Sequence, residues 1–199
     1  MHKIDALFFI LLLLSSCTTV LKIGYGIKKP KPRSTNYIRR KIVKYGLIDF
    51  PQYSIDENIL YNLIVKSNSI WNGTSVNKVY VFNKDGFLMI PNNSINCTSE
   101  VANSILSYQD FSVVDSIQFK DLFCDSIPSF YDRTKFFSMP KEKHLFVLTW
   151  ASYTGKLNKK LTRNWAETIN TIAASDSIVG IYVNLDMQKK NKKTAHNKR

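Results

Sequence analysis

Two continuous apolar runs on either side of one amphipathic helical pattern constrain the fold most. His144 to Trp150 (HLFVLTW) and Ile178 to Leu185 (IVGIYVNL) contain no Asp, Glu, Lys or Arg, which is typical of strands buried on both faces of a sheet. The order strand, helix, strand predicts a βαβ unit with two parallel strands and a right-handed crossover. Between the runs, Gly155 to Ala174 predicts a helix whose apolar stripe consists of Leu157, Leu161, Trp165, Ile169 and Ile172.

The preceding part of the chain has shorter patterns. Asp56 to Ser67 predicts a helix, because its apolar residues share one face and two acids lie in its first turn. Lys78 to Phe82 and Phe87 to Ile90 flank the turn sequence Asn-Lys-Asp-Gly and predict a hairpin. Thr98 to Tyr108 resembles a short capped helix, and Phe111 to Phe123 is compatible with strand, helix or both.

The net charge of +13 is concentrated at the two ends of the chain. Residues 22–44 contain nine Lys or Arg and no acid, and residues 189–199 contain six more and no acid. Residues 45–188 carry 12 Lys or Arg and 14 Asp or Glu, a net charge of −2. A nucleic-acid-binding domain needs basic side chains clustered on a shaped surface, so nucleic acid is not the predicted partner. Residues 189–199 are expected to form a disordered basic tail.

The amino terminus predicts export from the cytoplasm. Ala6 to Leu14 is a nine-residue apolar run, too short to cross a bilayer of about 30 Å but of the length of a signal-peptide core. It leads into Leu-Ser-Ser-Cys17, which resembles the lipobox of bacterial lipoproteins. That resemblance implies that residues 1–16 are removed and that Cys17 is acylated. The alternative is an ordinary secretory signal, which also implies export.

Residues 17–36 are then expected to tether a single domain, residues 37–188, to a membrane of the bacterial cell envelope. Their Lys-Lys-Pro-Lys-Pro-Arg segment combines prolines with like charges, which keep a chain extended. Basic residues near an acyl anchor can contact anionic head groups at roughly 1 kcal/mol each; a solvated spacer is the alternative. Thr18 after Cys17 permits outer-membrane export in enteric bacteria, but the sequence leaves the leaflet open.

The segment Leu145 to Leu161 (LFVLTWASYTGKLNKKL) resembles the active-site stretch of thioredoxin-like proteins of the peroxiredoxin and thiol-disulfide oxidoreductase group. That pattern is an apolar strand, then Trp-Ala-x-Trp/Tyr-Cys-Gly-Pro-Cys, then a basic helix. The resemblance extends over residues 143–187 and implies a thioredoxin-like fold. Trp150, Ala151, Tyr153 and Gly155 fit the pattern, whereas Thr154 and Leu157 replace the two cysteines.

This replacement removes the chemistry that usually accompanies the fold. Thioredoxin catalysis needs a thiolate at a helix amino terminus and a second thiol one turn later, and a threonine hydroxyl cannot form a mixed disulfide. The missing part of the fold is matched upstream, where helix 56–67, the hairpin and helix 98–108 follow the order of a thioredoxin carboxyl half. The predicted fold is therefore a three-layer α/β sandwich, circularly permuted. The alternative is an α+β domain with a terminal βαβ unit.

The remaining titratable residues offer little other chemistry. Cys97 and Cys124 could form a disulfide worth roughly 3–4 kcal/mol in an oxidising compartment, or remain two buried thiols. A Ser-His-Asp triad would depend on His144 alone. No His and Cys pair has metal-binding spacing, so neither a metal nor a cofactor is predicted.

Two function classes remain. The first is a membrane-anchored, non-catalytic thioredoxin-like module that binds an envelope protein or a small ligand. Its predicted binding surface is the amino end of the long helix, where free N–H groups favour anions, with Trp150, Tyr153, Thr154 and Lys156. Core packing under the helix is the alternative for the aromatic residues Trp150 and Tyr153. The second is a thiol-disulfide redox protein that uses Cys97 and Cys124.

Overall fold

A computed structural model describes residues 31–49, 51–71, 78–91, 111–173 and 178–188. Within these ranges the helices are α1 (Thr35–Tyr45), α2 (Glu57–Trp71), α3 (Phe119–Phe123) and α4 (Gly155–Ile172). The strands are β1 (Gln52–Ser54), β2 (Val79–Phe82), β3 (Phe87–Pro91), β4 (Phe111–Gln118), β5 (Ile127–Pro128), β6 (Phe136–Phe137), β7 (His144–Trp150) and β8 (Ile178–Asn184). None of the helices in these ranges is both long and apolar enough to cross a membrane.

Six of the strands form one mixed sheet in the order β1-β8-β7-β2-β3-β4. The strands β1, β8 and β7 are parallel to one another. The strands β2, β3 and β4 are each antiparallel to their neighbours, and β5 pairs with β6 in a separate two-stranded sheet. The chain is therefore a mixed α/β protein, as the sequence predicted at the level of fold class.

The predicted βαβ unit is confirmed. The strands β7 and β8 pair in parallel over their full length, from His144 opposite Ile178 to Trp150 opposite Asn184. Helix α4 connects the two strands. Of the predicted apolar stripe, the side chain of Leu157 is not among those that the structure describes. Leu161 is half-buried, and the buried residues of the stripe are Trp165, Ile169 and Ile172.

The predicted hairpin is also confirmed, as strands β2 and β3. The Asn83 side-chain oxygen accepts hydrogen bonds from the backbone N–H groups of Asp85 at 3.0 Å and Phe87 at 2.9 Å. Gly86 has a φ of +84°, a conformation that glycine adopts without steric cost. Because β2 also pairs antiparallel with β7, the hairpin extends the sheet directly from the βαβ unit.

The two other upstream predictions that fall on described residues agree with the structure. The predicted helix 56–67 is α2, capped by the Asp56 carboxylate, which accepts a hydrogen bond from the Ile59 N–H at 2.9 Å. Residues 111–123 are both strand and helix, as β4 followed by α3. The predicted helix 98–108 lies outside the described residues.

Helices cover both faces of the sheet, so there is one core on each face. Successive side chains along the buried strands point alternately into one core and the other. One core joins α2 and α3 to every second residue of these strands, and the other joins α1 and α4 to the residues between. A strand covered on both faces needs apolar residues at every position, which explains the continuous runs in the sequence. On β7 the first core takes Leu145 and Val147, and the second takes Phe146, Leu148 and Trp150.

Helix α1 and strand β1 are not predicted by the sequence patterns above. The Ser34 hydroxyl caps α1 by accepting a hydrogen bond from the Tyr37 N–H at 3.3 Å, and Gly46 ends the helix with a φ of +70°. The Arg33 N–H donates to the Met187 carbonyl oxygen at 2.8 Å. Residues 33–36, which the sequence analysis assigned to the tether, therefore contact or belong to the folded body.

Candidate functional site

The candidate site lies where the three parallel strands end. Because β1, β7 and β8 run in the same direction, the segments that follow them meet at one edge of the sheet. In open α/β sheets this carboxyl edge is the usual place for a ligand. The segments are residues 55–58 after β1, residues 151–155 after β7 and residues 185–188 after β8.

Trp150 lies in the core, the alternative to a place on the predicted binding surface. Its side chain is completely buried, and its ring lies edge-on to the Tyr45 ring at a centroid distance of 5.7 Å. Its indole N–H has no hydrogen-bond partner among the described residues. Trp150 is in phase with Phe146 and Leu148 on the face of β7 that α1 and α4 cover. It is a core residue and cannot contact a ligand at the surface.

The segment after β7 forms a short turn that leads into α4. A 3-10 turn spans Ser152–Thr154, and Gly155 begins α4 with a φ of +84°. Thr154 occupies the position that the resemblance assigns to the nucleophilic cysteine. Its side chain is buried, and its hydroxyl donates to the Ala151 carbonyl oxygen at 2.8 Å. That hydroxyl is engaged in the turn instead of being presented to solvent.

Tyr153 and Lys156 are the two predicted site residues that reach the surface. Lys156 is exposed in the first turn of α4, and Tyr153 is half-buried beside the core that faces α2 and α3. The side chain of Thr154, the N-cap residue of α4, makes no capping hydrogen bond, and the first turn of the helix contains no acid. This end of the helix therefore combines an exposed ammonium group with uncapped backbone N–H donors, a combination that favours an anionic group.

A buried polar cluster around Asp186 holds the edge together, and the sequence analysis did not identify it. Asp186 is 1% exposed. One of its carboxylate oxygens accepts from the Ser152 hydroxyl at 2.8 Å. The other accepts from the Ser152 N–H at 2.8 Å and from the Asn184 amide at 2.9 Å. The cluster joins the segment after β8 to the segment after β7. The spacing of Asn184 and Asp186 at the end of an apolar run was the available signal.

The negative charge of Asp186 affects the pKa of two neighbouring tyrosines. Burial raises the pKa of Tyr153, and the Asp186 carboxylate raises it further. The pKa of Tyr45 is raised by burial, by Tyr37 and by Asp186. Both phenols are therefore held in the neutral form at physiological pH, so neither supplies a phenolate.

His144 cannot complete a hydrolytic triad with Ser152 and Asp186. His144 begins β7, whereas Ser152 follows the end of that strand. Strand residues rise about 3.3 Å each, which puts roughly 20 Å between the two ends of β7. Ser152 donates directly to the carboxylate, without an intervening imidazole. The arrangement lacks the base that would activate a serine.

The cysteines of the alternative function are only partly within the described residues. Cys97 lies outside them, so its pairing with Cys124 is not described. Cys124 is half-buried at the end of α3 and forms no disulfide within the described residues. Burial raises the pKa of this thiol, and the carboxylates of Asp56 and Asp125 raise it further. A protonated thiol is a poor nucleophile and a poor partner in disulfide exchange.

A cleft of about 310 Å³ opens at the same edge of the sheet. Residues 55–58 line one side and residues 187–188 line another. Arg133 also lines the cleft and donates a hydrogen bond to the Gln188 side-chain oxygen. Among the residues that the structure describes, no three His, Cys, Asp or Glu side chains gather closely enough to hold a metal ion.

No protein family, curated protein or solved structure matches this chain. The function is therefore inferred from the site itself.

Proposed function

We propose that this chain is a membrane-anchored, non-catalytic thioredoxin-like module of the bacterial cell envelope that binds a protein or a small ligand. The observation that carries the proposal is the environment of Thr154. Where the resemblance requires a thiolate, the chain has a buried hydroxyl that donates to the Ala151 carbonyl oxygen at 2.8 Å. A hydroxyl in that position can neither form a mixed disulfide nor act as an activated nucleophile.

The sheet topology supports the thioredoxin-like part of the proposal. In a thioredoxin domain an antiparallel hairpin follows the βαβ unit in the chain. Here the hairpin of β2 and β3 precedes the βαβ unit, yet it pairs antiparallel with β7, the strand that leads to the candidate site. This arrangement is what a circular permutation predicts, because permutation changes the order of elements along the chain and keeps their neighbours in space.

The binding surface we propose is the amino end of α4, with Tyr153 and Lys156 as the contact residues. Tyr153 offers a half-buried aromatic ring held in place by the core, and Lys156 offers an exposed cation. An aromatic anchor beside a cation and uncapped N–H groups suits a carboxylate or phosphate group on the partner. Trp150 and Thr154 support this surface from beneath.

A photo-crosslinking amino acid tests the surface in the living cell. It is placed at Lys156 and, in a second strain, at Lys143, which is also an exposed lysine but precedes the opposite end of β7. We expect a light-dependent adduct of defined mass at position 156 and none at position 143. In a strain that carries the crosslinking amino acid at position 153 in place of Tyr153, the Lys156→Glu substitution should reduce the amount of adduct. Equal labelling at 156 and 143 would refute the proposed surface.

The redox alternative has its own test. The full chain, purified without reductant, is supplied with dithiothreitol as the electron donor and assayed for insulin reduction and for peroxide consumption above the rate with dithiothreitol alone. A Cys124→Ser variant is the control. We expect no turnover in either assay, because the pKa of the Cys124 thiol is raised by burial and by two carboxylates. Turnover that disappears in Cys124→Ser would favour the redox protein instead.

Membrane anchorage is tested by the mass of the amino-terminal peptide and by cell fractionation. The proposal predicts an acylated Cys17 at the mature amino terminus and release of the Cys17→Ser variant from the membrane fraction. An unmodified peptide that begins elsewhere would replace the anchor with an ordinary secretory signal.

A further inference from the structure

The outer face of α1 is basic. Ile38 and Ile42 are buried, which fixes the opposite side of the helix as the exposed one. Arg39, Arg40 and Lys44 are all exposed there. Within the described part of the chain, none of these three cations forms an ion pair with an acidic side chain. The face therefore presents positive charge that the folded body does not neutralise.

One exposed apolar side chain lies among these charges, and a second follows the helix in the sequence. Val43 is in the middle of the face, since it follows Arg39 by four residues and Arg40 by three, and it is 63% exposed. Ile48 follows the end of α1 and is also 63% exposed. Cations surrounding projecting apolar side chains are the pattern of elements that lie on a membrane surface.

The two basic ends of the sequence join the folded body beside α1. The Arg33 N–H donates to the Met187 carbonyl oxygen, and Arg33 and Gln188 form an isolated parallel bridge. Helix α1 begins two residues after Arg33, and the basic residues 189–199 begin directly after Gln188. The described residues 31–44 carry six Lys or Arg and no acid, and the sequence continues from Gln188 into a run with six more.

We propose that this side of the molecule docks on an anionic lipid bilayer. The docking surface, here called the α1 face, consists of Arg39, Arg40, Val43, Lys44 and Ile48. The inference rests on the proposed function, because the anchor at Cys17 supplies the membrane. The 16 residue-to-residue steps from Cys17 to Arg33 span at most about 55 Å, so the α1 face remains within reach of the membrane that holds the anchor. Nucleic-acid phosphates would match the cations but would gain nothing from Val43 and Ile48.

Vesicle sedimentation with an unlipidated chain isolates the α1 face from the anchor. The full chain with Cys17→Ser is mixed with vesicles of phosphatidylglycerol and phosphatidylcholine (about 3:7) and with pure phosphatidylcholine vesicles at low salt. The ratio of the two partition coefficients is compared, because the apolar residues 6–14 bind both kinds of vesicle alike. About 1 kcal/mol per basic residue is a fivefold change in partitioning, so Arg39→Gln with Arg40→Gln should lower the ratio about 25-fold.

The matched control is Lys141→Gln with Lys143→Gln, which removes two exposed cations from the segment before β7. We expect this control to change the ratio of the two partition coefficients by less than threefold. We expect Val43→Ser to lower the partition coefficient for the anionic vesicles by a factor of a few. Unchanged unfolding curves confirm that the variants are folded. Equal effects of the two double variants would overturn the proposal, as would a duplex DNA that competes with the vesicles.

The outcome is independent of the lipid anchor. If Cys17 is not acylated in cells, the proposed anchorage fails while the vesicle result stands. If Cys17 is acylated but the α1 face has no preference for anionic vesicles, the proposed anchorage stands and this inference fails.

Discussion

Replacing Asp186 separates the contribution of its hydrogen bonds from that of its charge. The carboxylate accepts three hydrogen bonds, two from Ser152 and one from Asn184, in a site that is 1% exposed. Asp186→Ala removes the acceptor of all three donors in a buried site. Asp186→Asn keeps the shape and exchanges one oxygen for an amide nitrogen. The two variants therefore differ in how many donors are left unsatisfied.

The magnitudes follow from the geometry of the cluster. Hydrogen bonds to a charged group contribute about 1.5–3 kcal/mol each, and bonds to one shared acceptor are not additive. We expect Asp186→Ala to lower the free energy of unfolding by about 4 kcal/mol. In Asp186→Asn the amide oxygen can accept from the Ser152 N–H and from Asn184. The amide nitrogen can donate to the Ser152 hydroxyl, which rotates to accept. Each partner keeps one hydrogen bond to residue 186, and the Ser152 hydroxyl hydrogen loses its acceptor, so the expected loss is smaller, about 1 kcal/mol.

Urea unfolding followed by far-UV circular dichroism measures both losses. An unchanged slope of the free energy of unfolding against urea concentration shows that the unfolded states are comparable. A second readout is the alkaline titration of tyrosine absorbance. Since the Asp186 charge raises the pKa of Tyr153 and of Tyr45, Asp186→Asn should move part of this titration to lower pH. An Asn variant as destabilised as the Ala variant would refute the account, and so would an Ala variant that loses less than about 1 kcal/mol.

Three further outcomes are expected. Burial lowers the pKa of Lys78 from 10.5 to about 7 in the folded protein. Between these two pH values the unfolded chain binds one more proton than the folded protein, so the free energy of unfolding should rise with pH from about 7 to 10.5. Lys78→Met should flatten this rise, measured as the urea midpoint at each pH. Trp150→Ala should cost about 3–5 kcal/mol and Trp150→Phe less than about 2, measured by urea unfolding, because the ring is core and its N–H has no described partner. Gly86→Ala should cost about 1–2 kcal/mol in the same assay, because its φ is +84° while the new methyl group would meet the Met139 side chain at an ordinary 3.7 Å.

The parts of the fold that sequence predicts are those specified by local patterns. The β7, α4 and β8 segments have continuous apolar runs or a helical stripe, and the hairpin has the turn residues Asn83 and Gly86. These features depend on residues that are neighbours in the sequence, so they can be recognised before the fold is known.

The elements that sequence missed depend on contacts between distant residues. Strand β1 is only three residues long and includes two polar residues, and it exists as a strand through its parallel pairing with β8. Helix α1 buries Ile38, Ile42 and Tyr45, but its cations continue the basic run of the tether and conceal the amphipathic pattern. In both cases tertiary packing outweighs a weak local signal.

Sequence identified the segment that follows β7, but not the environment of its side chains. The resemblance identified residues 150–156, which do lie at the carboxyl edge of the parallel strands. The burial of Trp150 follows from the alternation along β7, because it shares a face with Phe146 and Leu148. The partnership of Ser152 with Asp186 spans 34 positions in the sequence, and no spacing rule reaches that far without knowledge of the parallel pairing.

In the proposed thioredoxin-like fold, Thr154 stands at the position of the first cysteine. The surroundings of Thr154 agree with the absence of a reactive thiol there. A nucleophilic thiol needs a lowered pKa, which the amino terminus of a helix favours and a nearby carboxylate opposes. The Asp186 carboxylate is buried next to this turn and already raises the pKa of Tyr153, one residue before Thr154. The turn also uses the Thr154 and Ser152 hydroxyls to satisfy a carbonyl oxygen and that carboxylate. The Asp186 charge therefore opposes ionisation of an acidic group at this turn, which does not suit a thiol that must ionise and is compatible with the proposed binding surface.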